Sequence, residues 1–426
     1  MNMPSIVKLV SISTLDDVEI MSGIHLLRGL PEEILFLGWY HDVHYGNDEY
    51  GCTSVPNIFH NWLVKRSDLE AGQLTHVNAL GSECTDFVAG RIEYIPDKKL
   101  LILGGYRYTS TGAGYPKVIF IDVTDPENPS VLKEIEYPSE YTGSPYATPL
   151  YNPKHNLLFI GVHKAFKVYY DTLENVMNVT SIDQIPNSID GYYIVYPLDE
   201  DRILMMSSGN TLDGYDIVNQ QIISLGWEFG ISFRTPNYLV YVYKDANNHV
   251  IVRFVNLSDL SIANEYNTNS EVSGWVHDYV TIIGAGDKVI VINAESNELF
   301  VVDPDNGIEY STTLPEQCVW GARTDDGIIY CTHLYTGKGD IKKFEADQYY
   351  KVSIQGATVC VTDKDGNPLA NKPVYVSDIY GYMPLRSVNQ KYYAGAKTLT
   401  QLTTNSQGCV DLSQFAGKTV VIIVPP

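Results

Sequence analysis

Four polar side chains stand at one fixed offset in this sequence. His41, Arg107, Lys164 and Asn210 each lie seven residues after the first apolar residue of a short strand-like run, those residues being Ile34, Leu100, Leu157 and Ile203. His163, Lys244 and His333 fall close to equivalent places. Imidazole, guanidinium, ammonium and amide groups gathered where strands end would hold an anion, a glycan or a metal ion. Loop ends are polar without any ligand as well, so the pattern also suits plain solvation.

The most metal-like cluster is His41-Asp42-Val43-His44, with His60 and His76 in the same stretch. On a strand, residues three apart face opposite sides, so His41 and His44 share an ion only if a turn folds them together. A closed site wants three or four ligands. The expectation is no resident metal and no cofactor. Catalytic signatures are missing too: there is no Gly-x-Ser-x-Gly elbow, no His-Glu-x-x-His and no phosphate-binding loop. The chain is expected not to be an enzyme, the alternative being one that acts on glycans or uses a His-bound metal.

What must position these residues is a set of short strands. Runs of four to six β-branched or aromatic residues alternate with Gly, Pro, Asn and Asp clusters, and no long segment has helical periodicity. Two features recur. One is a turn followed by an apolar strand, as in Asp97-Lys98-Lys99-Leu100-Leu101-Ile102-Leu103 and Asn156-Leu157-Leu158-Phe159-Ile160. The other is an apolar strand ending in a polar turn, centred near Arg66, Asp122, Asp171, Asp216, Asn256, Asp303 and Glu345. The second series advances by 56, 49, 45, 40, 47 and 42 residues. A period of about 40 to 50 residues with four strands per unit predicts a β-propeller. Seven copies predict seven blades, with six as the alternative. Residues 5–12 form an orphan apolar strand, expected to complete the last blade and hide its edge.

Composition supports a folded, all-β chain of 426 residues, 44% hydrophobic and 19% charged, with 32 tyrosines. The net charge of −22 is uneven. Residues 350–426 hold seven Lys or Arg against four Asp, which makes this tail basic and everything before it strongly acidic. That contrast predicts a boundary near Tyr350, separating residues 1–349 from 350–426. An acidic body argues against nucleic acid as partner. There is no secretory leader pattern and no apolar run of membrane-spanning length. The six cysteines, Cys52, Cys84, Cys318, Cys331, Cys360 and Cys409, suit three local disulfides or six buried thiols equally. Asn178-Val179-Thr180 and Asn256-Leu257-Ser258 match the glycosylation sequon, a short pattern that chance supplies easily.

Two stretches resemble known families. Phe120-Ile121-Asp122-Val123-Thr124-Asp125-Pro126-Glu127-Asn128-Pro129 resembles the LVIVP-type repeat of bacterial and archaeal surface propellers. Ala357–Val376, with its Asp363-Lys364-Asp365-Gly366-Asn367-Pro368 turn, and the later Thr404-Asn405-Ser406-Gln407-Gly408 turn resemble Ig-like or carboxypeptidase-regulatory-like β-sandwiches. The second resemblance implies a spacer or attachment module and would put Cys360 and Cys409 on two core strands as an inter-sheet disulfide. An outward-facing architecture without a leader predicts a virion protein, made in host cytoplasm and displayed on the particle; the tyrosine-rich composition points to an archaeal virus. The expected role is a spike, decoration or adhesion subunit on a virion or other extracellular surface, a cytoplasmic location being the alternative. Its expected partners are other surface-assembly proteins and a host-surface glycan or protein. Its Asp125-to-Pro129 turn is expected to be structural and to touch no ligand.

Overall fold

The computed structural model describes all residues except 1–5, 17, 28–33, 43–56, 72–74, 83–84, 110–112, 144, 200, 228–229, 236, 275, 286–287, 315–316, 318, 324–328, 333–337, 347–350, 364–365, 378–398, 417–420 and 424–426. Its described part is overwhelmingly β, and its strands assort into four-stranded antiparallel sheets in chain order. Sheet A comprises Val18–Leu27, Ile34–Asp42, Asn57–Lys65 and His76–Asn78. Sheet B comprises Phe87–Ile95, Leu100–Tyr108, Ala113–Asp122 and Ser130–Glu136, with the two-residue Tyr141–Thr142 added beside its third strand. Sheet C comprises Ala147–Asn152, Leu157–Val162, Lys167–Thr172 and Asn187–Asp190, and sheet D comprises Tyr192–Pro197, Arg202–Ser207, Leu212–Asp216 and Gln221–Trp227. Sheet E comprises Ile231–Arg234, Tyr238–Lys244, His249–Asn256 and Ile262–Glu271, and sheet F comprises Val280–Ala285, Lys288–Asn293, Glu298–Asp303 and Gly307–Thr313.

The last of these sheets, G, draws on both ends of the chain. Val319–Arg323, Ile329–Thr332 and Lys338–Ala346 supply three strands, and Ile6–Asp16 pairs antiparallel with the third. Ile6 lies opposite Ala346 and Asp16 opposite Lys338.

The recurring sequence features are the second and third strands of these sheets, and their chemistry explains why. Second strands are continuous apolar runs, and in sheet E Leu239, Val240, Tyr241 and Val242 are all fully buried. Consecutive burial requires cover on both faces, so each sheet must lie between neighbours. First strands make that contact: Phe87–Ile95 packs on Val18–Leu27 and Ala147–Asn152, and Val319–Arg323 packs on Val280–Ala285 and Val18–Leu27. Burial fades toward the fourth strands, and Gln221–Trp227 alternates exposed and half-buried residues. In sheets B, D and F the third strand ends in a carboxylate that accepts hydrogen bonds from the following turn, which Asp does readily. Asp122 accepts from the Thr124 amide at 2.8 Å, Asp216 from Asn219 at 2.8 Å and Asp303 from Asp305 at 2.9 Å.

At that same turn end, polar contacts link neighbouring sheets. Lys65 reaches Glu127 at 2.6 Å (A to B), Lys98 reaches Glu174 at 3.6 Å (B to C), and Lys154 reaches Asp201 at 2.5 Å (C to D). Arg202 donates to the Leu257 carbonyl (D to E), and the Tyr266 hydroxyl donates to the Pro304 carbonyl at 2.8 Å (E to F). Exposed pairs of this kind add little stability, about 0–1 kcal/mol each, so they set register more than they hold the sheets together.

The tail forms two three-stranded sheets: Lys351–Gln355, Thr358–Thr362 and Cys409–Asp411 in one, Leu399–Thr403, Pro373–Ser377 and Val421–Ile423 in the other. Val359, Val361 and Val410 from the first face Val374 and Val376 from the second across a shared core. Cys360 and Cys409 are disulfide-bonded, but not between sheets as expected. They lie directly opposite one another on adjacent strands of one sheet, with Cα atoms 4.0 Å apart. Alternation explains the difference: Val359, Val361 and Val410 point into the core, so the cysteines between them point away from it. Cys52, Cys84 and Cys318 lie outside the described residues, as does the Cys331 side chain. Among the described residues, no helix is long and apolar enough to cross a membrane.

Candidate functional site: the loop face

Opposite the carboxylate-capped turns, the loops from second to third strands and from fourth to first strands share one end of sheets B to E. Sheet B contributes Arg107, near the end of its second strand. The guanidinium grips Glu136 of the fourth strand with two bonds, Nε to Oε2 at 2.8 Å and Nη2 to Oε1 at 3.1 Å. It also lies 4.5 Å from the centre of the Tyr115 ring, a cation–π arrangement. The Glu136 carboxylate raises the Arg107 pKa further, and the group stays charged.

Sheets C and D meet in an aromatic cluster. After Val162 the chain turns through a short 3-10 helix, His163–Ala165, and closes on Phe166 in the left-handed region at φ 49°. His163 stacks on Tyr193, at the start of sheet D, with ring centres 4.7 Å apart. Phe166 meets the same ring edge-on at 5.4 Å yet stays 39% exposed. The Tyr193 hydroxyl donates to Asn210 Oδ1 at 3.1 Å, and burial pushes that phenol up to about 12. Asn210 takes φ 59° in the turn after Ser207, a conformation Asn tolerates better than most residues. Tyr193 therefore binds two of the anticipated residues, His163 and Asn210, into one unit.

A second aromatic group adjoins the first. Tyr146 meets Tyr106 edge-to-face at 4.8 Å, and its ring occupies the space beside Gly90, where an added Cβ would lie 2.1 Å from Tyr146 Cδ1. Tyr137 stacks with Tyr141 at 6.0 Å and approaches Tyr169 at 6.1 Å. Half-exposed Tyr108, Tyr137, Tyr141 and Tyr192 carry hydroxyls on rigid rings, a surface suited to non-covalent recognition at low entropic cost.

The remaining anticipated residues are spread apart. Lys164 follows His163 and lies near Gly143. Lys244 ends the second strand of sheet E, and its Nζ donates to the Ser273 carbonyl at 3.2 Å and the Gly274 carbonyl at 3.0 Å. Lys244 is thus committed to structure. The His41 side chain and all of His333 lie outside the described residues. His60 and His76 both lean on Trp62, with centroids 5.6 Å and 3.7 Å away. Among the described residues, no group of three or more His, Cys, Asp or Glu is placed to hold a metal.

Sequence reasoning missed Tyr193, Tyr146, Tyr106 and Phe166. Their only signal is the abundance of aromatic residues near strand ends, which composition assigns to sheet packing. It also missed two buried ionisable residues on the first strand of sheet B. Arg91, 3% exposed, donates to the Val195 carbonyl at 3.0 Å and lies 5.0 Å from the centre of the Tyr196 ring. Glu93, 1% exposed, has one carboxyl oxygen without a hydrogen bond, and burial raises its pKa well above the usual carboxylate value against the opposing pull of the Tyr151 amide and Arg91.

No family model matches this sequence, and no curated protein does. Similarity appears at the level of structure, where 885 solved chains resemble it. One, from a structure titled "Crystal Structure of Mitotic Checkpoint Complex", superposes with a TM-score of 0.51 at 11% identity, over 79% of this chain and 94% of that one. So widely shared an architecture carries no particular activity. The chain is propeller-like and all-β, and the likeness is one of fold alone.

Proposed function

We propose that this chain is a non-enzymatic recognition subunit: a seven-bladed propeller over residues 1–349, closed by its N-terminal strand, carrying an Ig-like module over residues 350–426. The seven sheets and their pairwise first-strand packing support the ring, and the antiparallel pairing of Ile6–Asp16 with Lys338–Ala346 supports its closure. The two small sheets around one valine-rich core support the module. The subunit serves as a spike, decoration or adhesion protein on a virion or extracellular surface and recognises a protein or glycan through the loop face.

One observation carries this reading. Phe166 is bulky, exposed and held at positive φ, a conformation that costs roughly 1–2 kcal/mol for a residue with a side chain. The ring meets Tyr193 edge-on yet keeps much of its surface open, a posture that suits binding. The test is to probe virus particles and cell surfaces from the source for the chain, and to screen the purified protein on glycan and surface-protein arrays. Enrichment on particles with a defined array ligand is expected; a chain absent from particles and surfaces, with no ligand, would sink the proposal.

A further inference from the structure

A cavity of about 260 Å³ lies between sheets A and B, at the carboxylate-capped turns, away from the loop face. Its floor is aliphatic: Ile34 and Leu63 are buried, and Val77 lines it beside them. The wall carries Asp68, Thr75 and His76, the imidazole fixed by stacking on Trp62 at 3.7 Å. Across the mouth stands the sheet B turn, with Pro126 and Glu127. That turn, expected to touch no ligand, forms one side of the hollow.

We infer that this cavity binds an aliphatic ammonium, its alkyl stem on Ile34, Leu63 and Val77 and its charged head at Asp68. Size comes first: at about 260 Å³ the hollow lies just under the usual range for small-molecule sites and has room for a short stem. Charge comes second. Lys65 is paired with Glu127 at 2.6 Å, whereas the Asp68 carboxylate has neither a hydrogen bond nor an ion pair among the described residues. The described lining is therefore net negative on a strongly acidic chain, which favours a cation. An aliphatic floor, with no exposed aromatic platform among the described residues, suits methylene groups better than a sugar ring. The Lys65–Glu127 pair is half-exposed, so it yields to an entering ligand at little cost. The ammonium belongs to a free amine or to a lysine side chain on a partner protein.

The test uses the full chain with labelled Ile, Leu and Val methyl groups. Butylamine is titrated while the Ile34, Leu63 and Val77 signals are followed, with butanol and butyrate as neutral and anionic controls. Butylamine is expected to shift these signals saturably, butanol about tenfold more weakly, and butyrate not at all. Asp68→Asn should weaken amine binding at least tenfold, and Thr75→Trp, which fills the space from an exposed position, should abolish it. Each variant's melting temperature reports on its fold. Binding of Nα-acetyl-lysine methylamide as tight as that of butylamine assigns the site to a partner's lysine; butylamine alone assigns it to a free amine. Equal binding of butanol and butylamine, binding of monosaccharides in preference to amines, or indifference to Asp68→Asn in a folded variant would overturn the proposal.

Discussion

The His163 imidazole lies 4.7 Å from the Tyr193 ring, and the two residues come from neighbouring sheets. Tyr193 also holds Asn210 through its hydroxyl, so one phenol joins the loops of sheets C and D. Tyr193→Phe keeps the ring and loses the hydrogen bond, and thermal denaturation should register a loss of about 1 kcal/mol. Tyr193→Ala removes the platform for His163 and Phe166 and should cost about 3–5 kcal/mol by the same assay. Equal stability of the two variants would show that the stack contributes nothing.

Gly90 supports the adjoining aromatic pair by lacking a side chain. With Tyr146 Cδ1 only 2.1 Å from where a Cβ would stand, Gly90→Ala must displace that ring. A loss of about 1–3 kcal/mol is expected in denaturant unfolding, together with a changed near-ultraviolet dichroism from the Tyr106–Tyr146 contact.

Glu93 gives stability a pH dependence whose sign follows from burial. Its folded pKa is raised, so its contribution is complete below the unfolded value and is lost as pH rises through the folded one. Glu93→Gln should match the wild type near pH 4 and exceed it at pH 8, by about 1–3 kcal/mol. Denaturant midpoints across that range check this, and a Gln variant weaker at every pH would show that Arg91 needs the carboxylate charge.

The Cys360–Cys409 bond closes a segment with a sequence separation of 49. Loop-closure entropy alone assigns it about 4 kcal/mol. Cys360→Ser should therefore unfold the tail sheets early in a thermal scan while leaving the transition of the larger part in place.

Much of this fold could be read in the chain because its strands are written in the residues themselves. Continuous runs such as Leu239–Val242 mark second strands buried on both faces, and the carboxylates at Asp122, Asp216 and Asp303 mark where third strands end. The fixed offset from those runs led to Arg107, Lys164 and Asn210 on the loop face, with His163 one residue short of it. It could not tell which polar side chains are committed: Lys244 is bound to two carbonyls and Arg107 to Glu136, contacts made between strands far apart in sequence. Nor could it show that Tyr193 joins His163 to Asn210, since that contact depends on how two sheets stack. The facing of Cys360 was readable from the valines on either side of it.

The most direct test of recognition through the loop face is the binding of labelled chain to particles and cell surfaces, comparing wild type with Phe166→Gly. Glycine relieves the left-handed backbone but gives up the edge-on contact with Tyr193 and adds freedom to the unfolded chain, so the variant should keep its fold with a stability within about 1–2 kcal/mol of wild type, checked by its melting temperature. The account predicts an intact fold with binding weakened at least about tenfold, as expected when a central aromatic anchor is removed. A folded Phe166→Gly chain that binds as tightly as wild type would contradict it.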